Sequence, residues 1–287
     1  MSPDADTTAR AELARSARHW ETNARTDAAF AVLSDPDRAG AWDLDAFLGT
    51  GEREIAAVLG ELDRLDALPA RWGQALDFGC GLGRLTAALA RRFDHAVGVD
   101  VSSTMVERAR LLHDDATNLR FVHNERDDLD VVPTGTVDLA YSNIVLQHVG
   151  RPLQERYLAE LVRVLAPGGV AAVQVPSWHR GPAGFARRHL PEAVVPTARA
   201  AAARLRRPHA GFARPDGDDI HMEMHCLPEG DVQAVVRRAG GRVVGIVLTN
   251  ATEPDFGGDL VVRTPDEAWA AAAGGRYLSP MYVVRRR

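Results

Sequence analysis

Lysine does not occur in this sequence, cysteine occurs twice, aromatic side chains make up 6% of it, and no uninterrupted apolar stretch is long enough to cross a bilayer. Each scarcity excludes something. Two cysteines, Cys80 and Cys226, cannot build a disulfide framework, and a bridge at Cys80 would obstruct the glycine-rich run around it. A reducing cytoplasm is the expected compartment. The opening residues, "MSPDADTTARAELARSARHW", lack the apolar centre of a signal peptide, so neither secretion nor membrane attachment is expected. A formal net charge of −5 and a pI near 6.1 argue against a general nucleic-acid-binding surface, although they leave room for a local basic patch. Heavy use of alanine and arginine without lysine reads as a GC-rich coding background and carries little information about mechanism.

With 287 residues and 46% hydrophobic content, the chain can bury one large core, or one core with a smaller appended region. Residues 1–70 show no strand-like run. "GEREIAAVLGELDRLDAL" instead places Ile55, Val58, Leu59, Leu62, Leu65 and Leu68 at spacings of three and four, one face of an amphipathic helix. From Gln74 onward, short apolar runs alternate with helical patterns: "QALDFG", "RLTAALARRF", "HAVGVD", "STMVERARLLHD", "LRFVHN" and "VDLAYSN". The helix "PLQERYLAELVRVLAPGG" is expected to stop at Pro167-Gly168-Gly169. This alternation predicts an α/β fold with a parallel, Rossmann-like sheet and helices on both faces. The rhythm breaks over residues 177–216, read as an inserted cap, and resumes in residues 217–287, the C-terminal part of the core. The remaining division is an N-terminal helical lid over 1–70 and a ligand-binding core over 71–176.

"LDFGCGLGR" places Gly79, Gly81 and Gly83 between a strand and a helix, at the carboxyl edge where parallel α/β sheets bind ligands. Glycine there admits positive φ and lets a ligand rest on the backbone. Asp100, ending "VGVD" on the next strand, is suited to accept two hydrogen bonds from a ribose diol. A nucleoside ligand follows. The dinucleotide fingerprint wants a third glycine where this chain has Arg84, which weakens the nicotinamide or flavin reading.

"LDFGCGLGR", "VGVDVSSTM", "NERDDL", "DLAYSNIVLQHV" and "ELVRVLAPGGV", in that order, resemble the motifs of class I S-adenosylmethionine-dependent methyltransferases, in the small-molecule branch. The resemblance implies a seven-stranded sheet whose last strand is antiparallel. S-adenosyl-L-methionine would be the cofactor and S-adenosyl-L-homocysteine the product. Carried over by position, it makes Gly79, Cys80 and Gly81 the platform for the methionine moiety, with Asp77 ordering the loop. Asp100 would hold the ribose, and Val101 and Met105 would flank the adenine. Either Glu125 or Asp128 would meet the adenine amino group, with Asp128 and Leu129 preferred. Ser142 and Asn143 would complete the methionine site.

Methyl transfer from a sulfonium needs mainly alignment, and a base only where the acceptor is protonated. His148, in "LQHV", is the candidate base, since an imidazole of ordinary pKa near 6.5 suits that task. "DDIHMEMHC" offers His221 and His225, which share a face on a helix or, with Glu223, on a strand. They are read as acceptor contacts together with Trp178, and no metal is expected. The arginine-rich insertion is suited to attract a phosphate, a carboxylate or an acidic carrier protein. The expected reaction is methylation of an oxygen or nitrogen of a small, anionic metabolite, with natural-product biosynthesis as the expected setting. The alternatives are an NAD(P)-dependent oxidoreductase and a non-catalytic methyltransferase-like partner subunit. An RNA or protein methyltransferase is a further alternative, though "SNIV" replaces the Asn/Asp-Pro-Pro-aromatic signature common in base and glutamine methylation.

Overall fold

Short apolar runs become strands because side chains on a strand alternate between faces, so each run can feed two helical layers at once. The computed structural model describes residues 3–33, 40–179, 225–249, 261–262 and 277–287. Five parallel strands, β1 (Gln74–Phe78), β2 (His95–Asp100), β3 (Leu119–His123), β4 (Val137–Ser142) and β5 (Leu165–Gln174), are followed by β6 (Trp178–His179), β7 (Gly241–Thr249), β8 (Val261–Val262) and β9 (Tyr277–Arg286). The sheet order is β3-β2-β1-β4-β5-β9-β7, with β9 antiparallel to both neighbours. This is the expected seven-stranded pattern. Two-residue β8 extends it beyond β7, and β6 pairs with β9.

Its helices are α1 (Pro3–Val32), α2 (Leu44–Arg64), α3 (Arg84–Ala90), α4 (Ser103–Leu112), α5 (Arg151–Val164) and α6 (Glu229–Arg238). Leu76 and Phe78 face a layer built from α5 and α6 through Leu153, Leu158, Leu161 and Val235. Ala75 lies on the opposite face, in a layer with Ile55, Val58 and Leu62 of α2 and Leu85 and Leu89 of α3. Burying each of these three α2 side chains stabilises the fold by roughly 1.5–3 kcal/mol. The helix face read from spacing in α2 is therefore a main-core face, not only the underside of a lid.

Two local expectations change. α5 ends at Val164, and Pro167-Gly168-Gly169 falls inside β5, where the register with β4 shifts between Val137 and Leu139. The proline and glycines make a bulge there, because pairing with β4 starts at Leu165 before they are reached. α1 is broken at Asp27, whose φ of −154° and ψ of 91° are extended. The inserted cap lies outside the described residues from 180 onward, as does His221. Among the described residues, no helix is long and apolar enough to cross a membrane.

Candidate active site

β1 is flanked by β2 on one side and β4 on the other, so the loops after these three strands meet at the point where the chain winds in opposite directions. Gly79 and Gly81 have φ of +81° and +50°, a region that admits glycine at little cost. The amides of Gly79 and Cys80 both donate to the Val99 carbonyl, at 2.8 and 3.1 Å, which ties the loop to β2. The Gly81 amide donates to Asp100 Oδ2 at 2.8 Å, and the Ser102 amide to Oδ1 at 2.9 Å. One carboxylate therefore joins the two loops, with lone pairs left on both oxygens. Burial raises the Asp100 pKa above its ordinary value, against the lowering effect of these amides.

A cavity of about 100 Å3 lies against this junction, with Gly79, Gly81, Asp100, Met105, Asn124 and Asn143 among its walls. Val32 of α1 stands over Gly81, and a Cβ there would come within 2.6 Å of it. Met105, 2% exposed, packs with Trp20 and Val32, and its amide donates to Ser102 Oγ at 3.1 Å. Val101 also lines the cavity, as does Cys80. The Cys80 side chain packs with Val106, Ala109 and Phe121, and burial pushes its thiol pKa well up. Ser142 Oγ donates to the Phe78 carbonyl at 3.1 Å, tying β4 to β1. Ile144 follows at φ +60°, a strained setting for a β-branched residue, with its amide donating to Gln174 Oε1 at 2.9 Å.

Asp77 does not touch the glycines. It points to the other face of the sheet, where Oδ2 accepts from Thr86 Oγ1 at 2.7 Å and clasps β1 to α3 across the loop. Burial pushes its pKa up to about 7, with Glu54 and Asp100 adding to the rise and Thr86 and Arg84 opposing it. Asp128 is held by Arg126 Nε and Nη2 at 2.9 and 2.7 Å, which holds its carboxyl below the usual range despite partial burial. It lines a separate cleft of about 640 Å3 with Arg18, Glu21 and Asp127. Leu129 is fully buried in the main core, and its amide donates to Glu160 Oε2 at 2.7 Å. Asn124 is the member of "NERDDL" that reaches the cavity.

His148 sits in a single 3-10 turn, Leu146–His148, outside the cavity wall. Its ring meets Trp20 edge-on at 5.1 Å, and its Nε2 lies 3.1 Å from Gln147 Nε2. The His225 amide donates to the Gln147 carbonyl at 2.7 Å, which brings the end of "HMEMHC" beside that turn. Trp178 is described only as part of β6. Among the described residues there is no group of three or more metal-ligating side chains.

Sequence reasoning missed Glu54. Buried in α2, it accepts from Arg84 Nη2 at 2.7 Å on one oxygen, and from Tyr141 OH and Asn143 Nδ2 at 2.8 Å each on the other. A signal existed: Phe47, Gly51, Glu54, Val58 and Leu62 form one helical stripe, and an acid inside such a stripe must have a partner.

Residues 75–169 match the family model described as a methyltransferase domain. The matched span runs from β1 through the first part of β5 and contains both the glycine loop and Asp100. That span is similar to methyltransferase domains. The chain is 43% identical over 115 residues to a trans-aconitate 2-methyltransferase of Deinococcus radiodurans, covering 39% of this chain and 42% of that one. It is 32% identical over 173 residues to a protein of the same name from Afipia carboxidovorans, covering 58% and 64%. The chain thus spans less than two thirds of these relatives. In fold, it superposes on magnesium protoporphyrin IX methyltransferase of Synechocystis, solved with S-adenosylhomocysteine, with a TM-score of 0.50 at 15% identity over 83% of this chain and 84% of that one.

Proposed function

We propose that the protein binds S-adenosylmethionine at the junction of the β1, β2 and β4 loops and transfers its methyl group to an oxygen or nitrogen of a small anionic metabolite. The observation that carries the reading is Asp100, held by the Gly81 and Ser102 amides at the cavity wall with acceptor capacity remaining. The residues present fit the cofactor. Asp100 suits the ribose hydroxyls, the Met105 side chain suits a base, and the glycine turn suits a chain lying on backbone. Asn124, in place of Asp128 or Leu129, supplies the polar contact near the base.

When bound, the cofactor supplies an electrophilic methyl carbon on a sulfonium. The protein's part is then alignment and exclusion of water. α1 would serve as the lid, since Trp20 and Val32 roof the cavity and Glu21 accepts from Ser102 Oγ at 2.7 Å and Thr104 Oγ1 at 2.5 Å. Glu12 likewise accepts from the Gly150 amide at the start of α5. An anionic acceptor is favoured by the relatives named trans-aconitate 2-methyltransferase. A carboxylate is already deprotonated at neutral pH, so it requires no base, and His148 would matter only for a hydroxyl or ammonium acceptor.

The test is calorimetric titration of the full chain with S-adenosylmethionine and S-adenosylhomocysteine, with NAD and NADP as controls, followed by methyl transfer to di- and tricarboxylates. Micromolar binding of the sulfur ligands is expected, and Asp100→Ala should weaken it about 30-fold, near 2 kcal/mol for hydrogen bonds to a charged acceptor. Binding of NAD or NADP alone, or unchanged affinity in the variant, refutes the reading.

A further inference from the structure

Four consecutive residues, Asn143, Ile144, Val145 and Leu146, line the cavity beside the glycine loop. A continuing strand could not do this, because its side chains alternate between faces and every second one would turn away. The chain leaves the extended conformation at Ile144, whose φ is +60°. For a β-branched side chain that is an outlying conformation, and it persists only where the surroundings over-determine it.

Those surroundings are a short series of contacts. The ladder between β4 and β5 ends at the pair Ser142–Val173. Before the turn, Ser142 Oγ donates to the Phe78 carbonyl at 3.1 Å. After it, Val145 stands on the glycine loop, where a Cβ at Gly79 would come within 2.2 Å of Val145 Cγ2. At the turn itself the Ile144 amide lies past the end of the ladder and donates to the side-chain oxygen of Gln174 at 2.9 Å. Gln174 is a firm base for that bond. It is 2% exposed, it pairs with Met281 of β9, and the amide of the next residue, Val175, donates to the Pro280 carbonyl at 3.0 Å. The turn also leads into the one that bears His148, whose amide donates to the Val145 carbonyl at 3.0 Å.

We propose that Gln174 is a positioning residue for methyl transfer: its side-chain oxygen holds Ile144 in the left-handed region and so wraps residues 143–146 around the cavity. Gln174 does not line the cavity and acts through Ile144. The proposal rests on the cofactor reading above and adds to it a clamp, set on β5, that shapes the wall.

Glycine takes a positive φ at little cost and needs no clamp, which separates this role from ordinary core packing. S-adenosylhomocysteine is titrated calorimetrically against the wild-type chain, Gln174→Leu, Ile144→Gly and the double variant. Gln174→Leu cannot accept a hydrogen bond and should weaken binding about tenfold or more. Ile144→Gly should bind within about threefold of wild type, and the double variant within about threefold of Ile144→Gly. Wild-type affinity in Gln174→Leu, or a double variant as weak as Gln174→Leu, overturns the proposal. If Gln174→Leu does not fold, a folded double variant is the same rescue in another form, and an unfolded one overturns the proposal. Urea unfolding of Ile144→Ala and Ile144→Gly gives a check that leaves Gln174 in place: alanine is strained at positive φ, so the glycine variant should have the higher midpoint, and the reverse order overturns the proposal. Wild type that binds no S-adenosylhomocysteine overturns the cofactor reading, and the positioning role with it, even where the glycine variant is the more stable.

Discussion

Replacing Gly51 with alanine and, separately, Gly60 with alanine puts the same methyl group into the same helix with opposite expected outcomes. Inside a helix, alanine is favoured over glycine by about 1 kcal/mol. At Gly60 the new Cβ meets nothing within 4 Å, so the full gain should appear. At Gly51 it would lie 2.3 Å from the Arg84 carbonyl oxygen and 2.8 Å from its carbon, main-chain atoms that cannot rotate away. Overpacking costs about 1–3 kcal/mol, and contact with backbone belongs at the top of that range, leaving Gly51→Ala about 2 kcal/mol less stable than wild type. The two variants should then differ by about 3 kcal/mol, or roughly 6–12 °C in Tm at 2–4 °C per kcal/mol. Thermal and urea unfolding followed by circular dichroism would measure this. A Gly51→Ala protein as stable as Gly60→Ala would show that α2 is not seated on α3, and the placement of Glu54 against Arg84 would fall with it.

Three further outcomes are expected. Asp77 is held near pKa 7 in the folded protein against 3.8 for an ordinary aspartate, so the unfolded chain gives up its proton first. Stability should therefore fall as pH rises from about 4 to 7, by up to about 1.4 kcal/mol per pH unit from this group, and Asp77→Asn should flatten that slope in urea titrations; an unaltered slope refutes the assignment. Glu21 shows the reverse sign: burial raises its pKa, but hydrogen bonds from Thr104, Ser102 and Arg25 outweigh this and bring it down from 4.5 to about 2. Its contribution is present above about pH 4.5 and lost toward 2, so wild type and Glu21→Gln should converge in stability as pH falls, and a constant difference between them would refute it. His148→Ala should leave turnover of a carboxylate acceptor within about threefold and slow a hydroxyl acceptor by 100-fold or more, measured as methyl transfer under saturating cofactor; equal effects on the two classes would remove the base role.

The alternation of strands and helices was readable because periods of two and of three to four residues are local properties. So was the pairing of the glycine loop with Asp100, since consecutive parallel strands deliver their following loops to the same edge. Contacts set by packing direction were not. Glu54 and Arg84 are thirty positions apart, and their meeting depends on which face α2 turns toward α3. In "NERDDL", the spacing does not say which of several polar residues turns inward: Asp128 is taken by Arg126 two positions away, Leu129 enters the core, and Asn124 reaches the cavity. His148 was legible as a position after β4, whereas its edge contact with Trp20 depends on how α1 crosses the sheet edge.

The charges gathered at the site bear on how it would distinguish cofactor from product. Glu54 and Arg84 neutralise one another, and Asp77 keeps its proton up to about pH 7. Asp100, when ionised, is then the remaining anion of the cavity wall. Under the proposed reading, the incoming ligand carries a zwitterionic amino-acid end and a sulfonium, one net positive charge, whereas the product has lost that charge with its methyl group. A wall of net charge −1 in a partly buried site attracts the first more than the second, a direction that follows from Coulomb's law at reduced dielectric whatever the acceptor. Above pH 7 the ionisation of Asp77 would add a second negative charge behind the loop. It would strengthen the bias toward the cation in a range where the stability lost through this group, between about pH 4 and 7, is already gone, so cofactor discrimination should go on rising with pH after folding stability has levelled off.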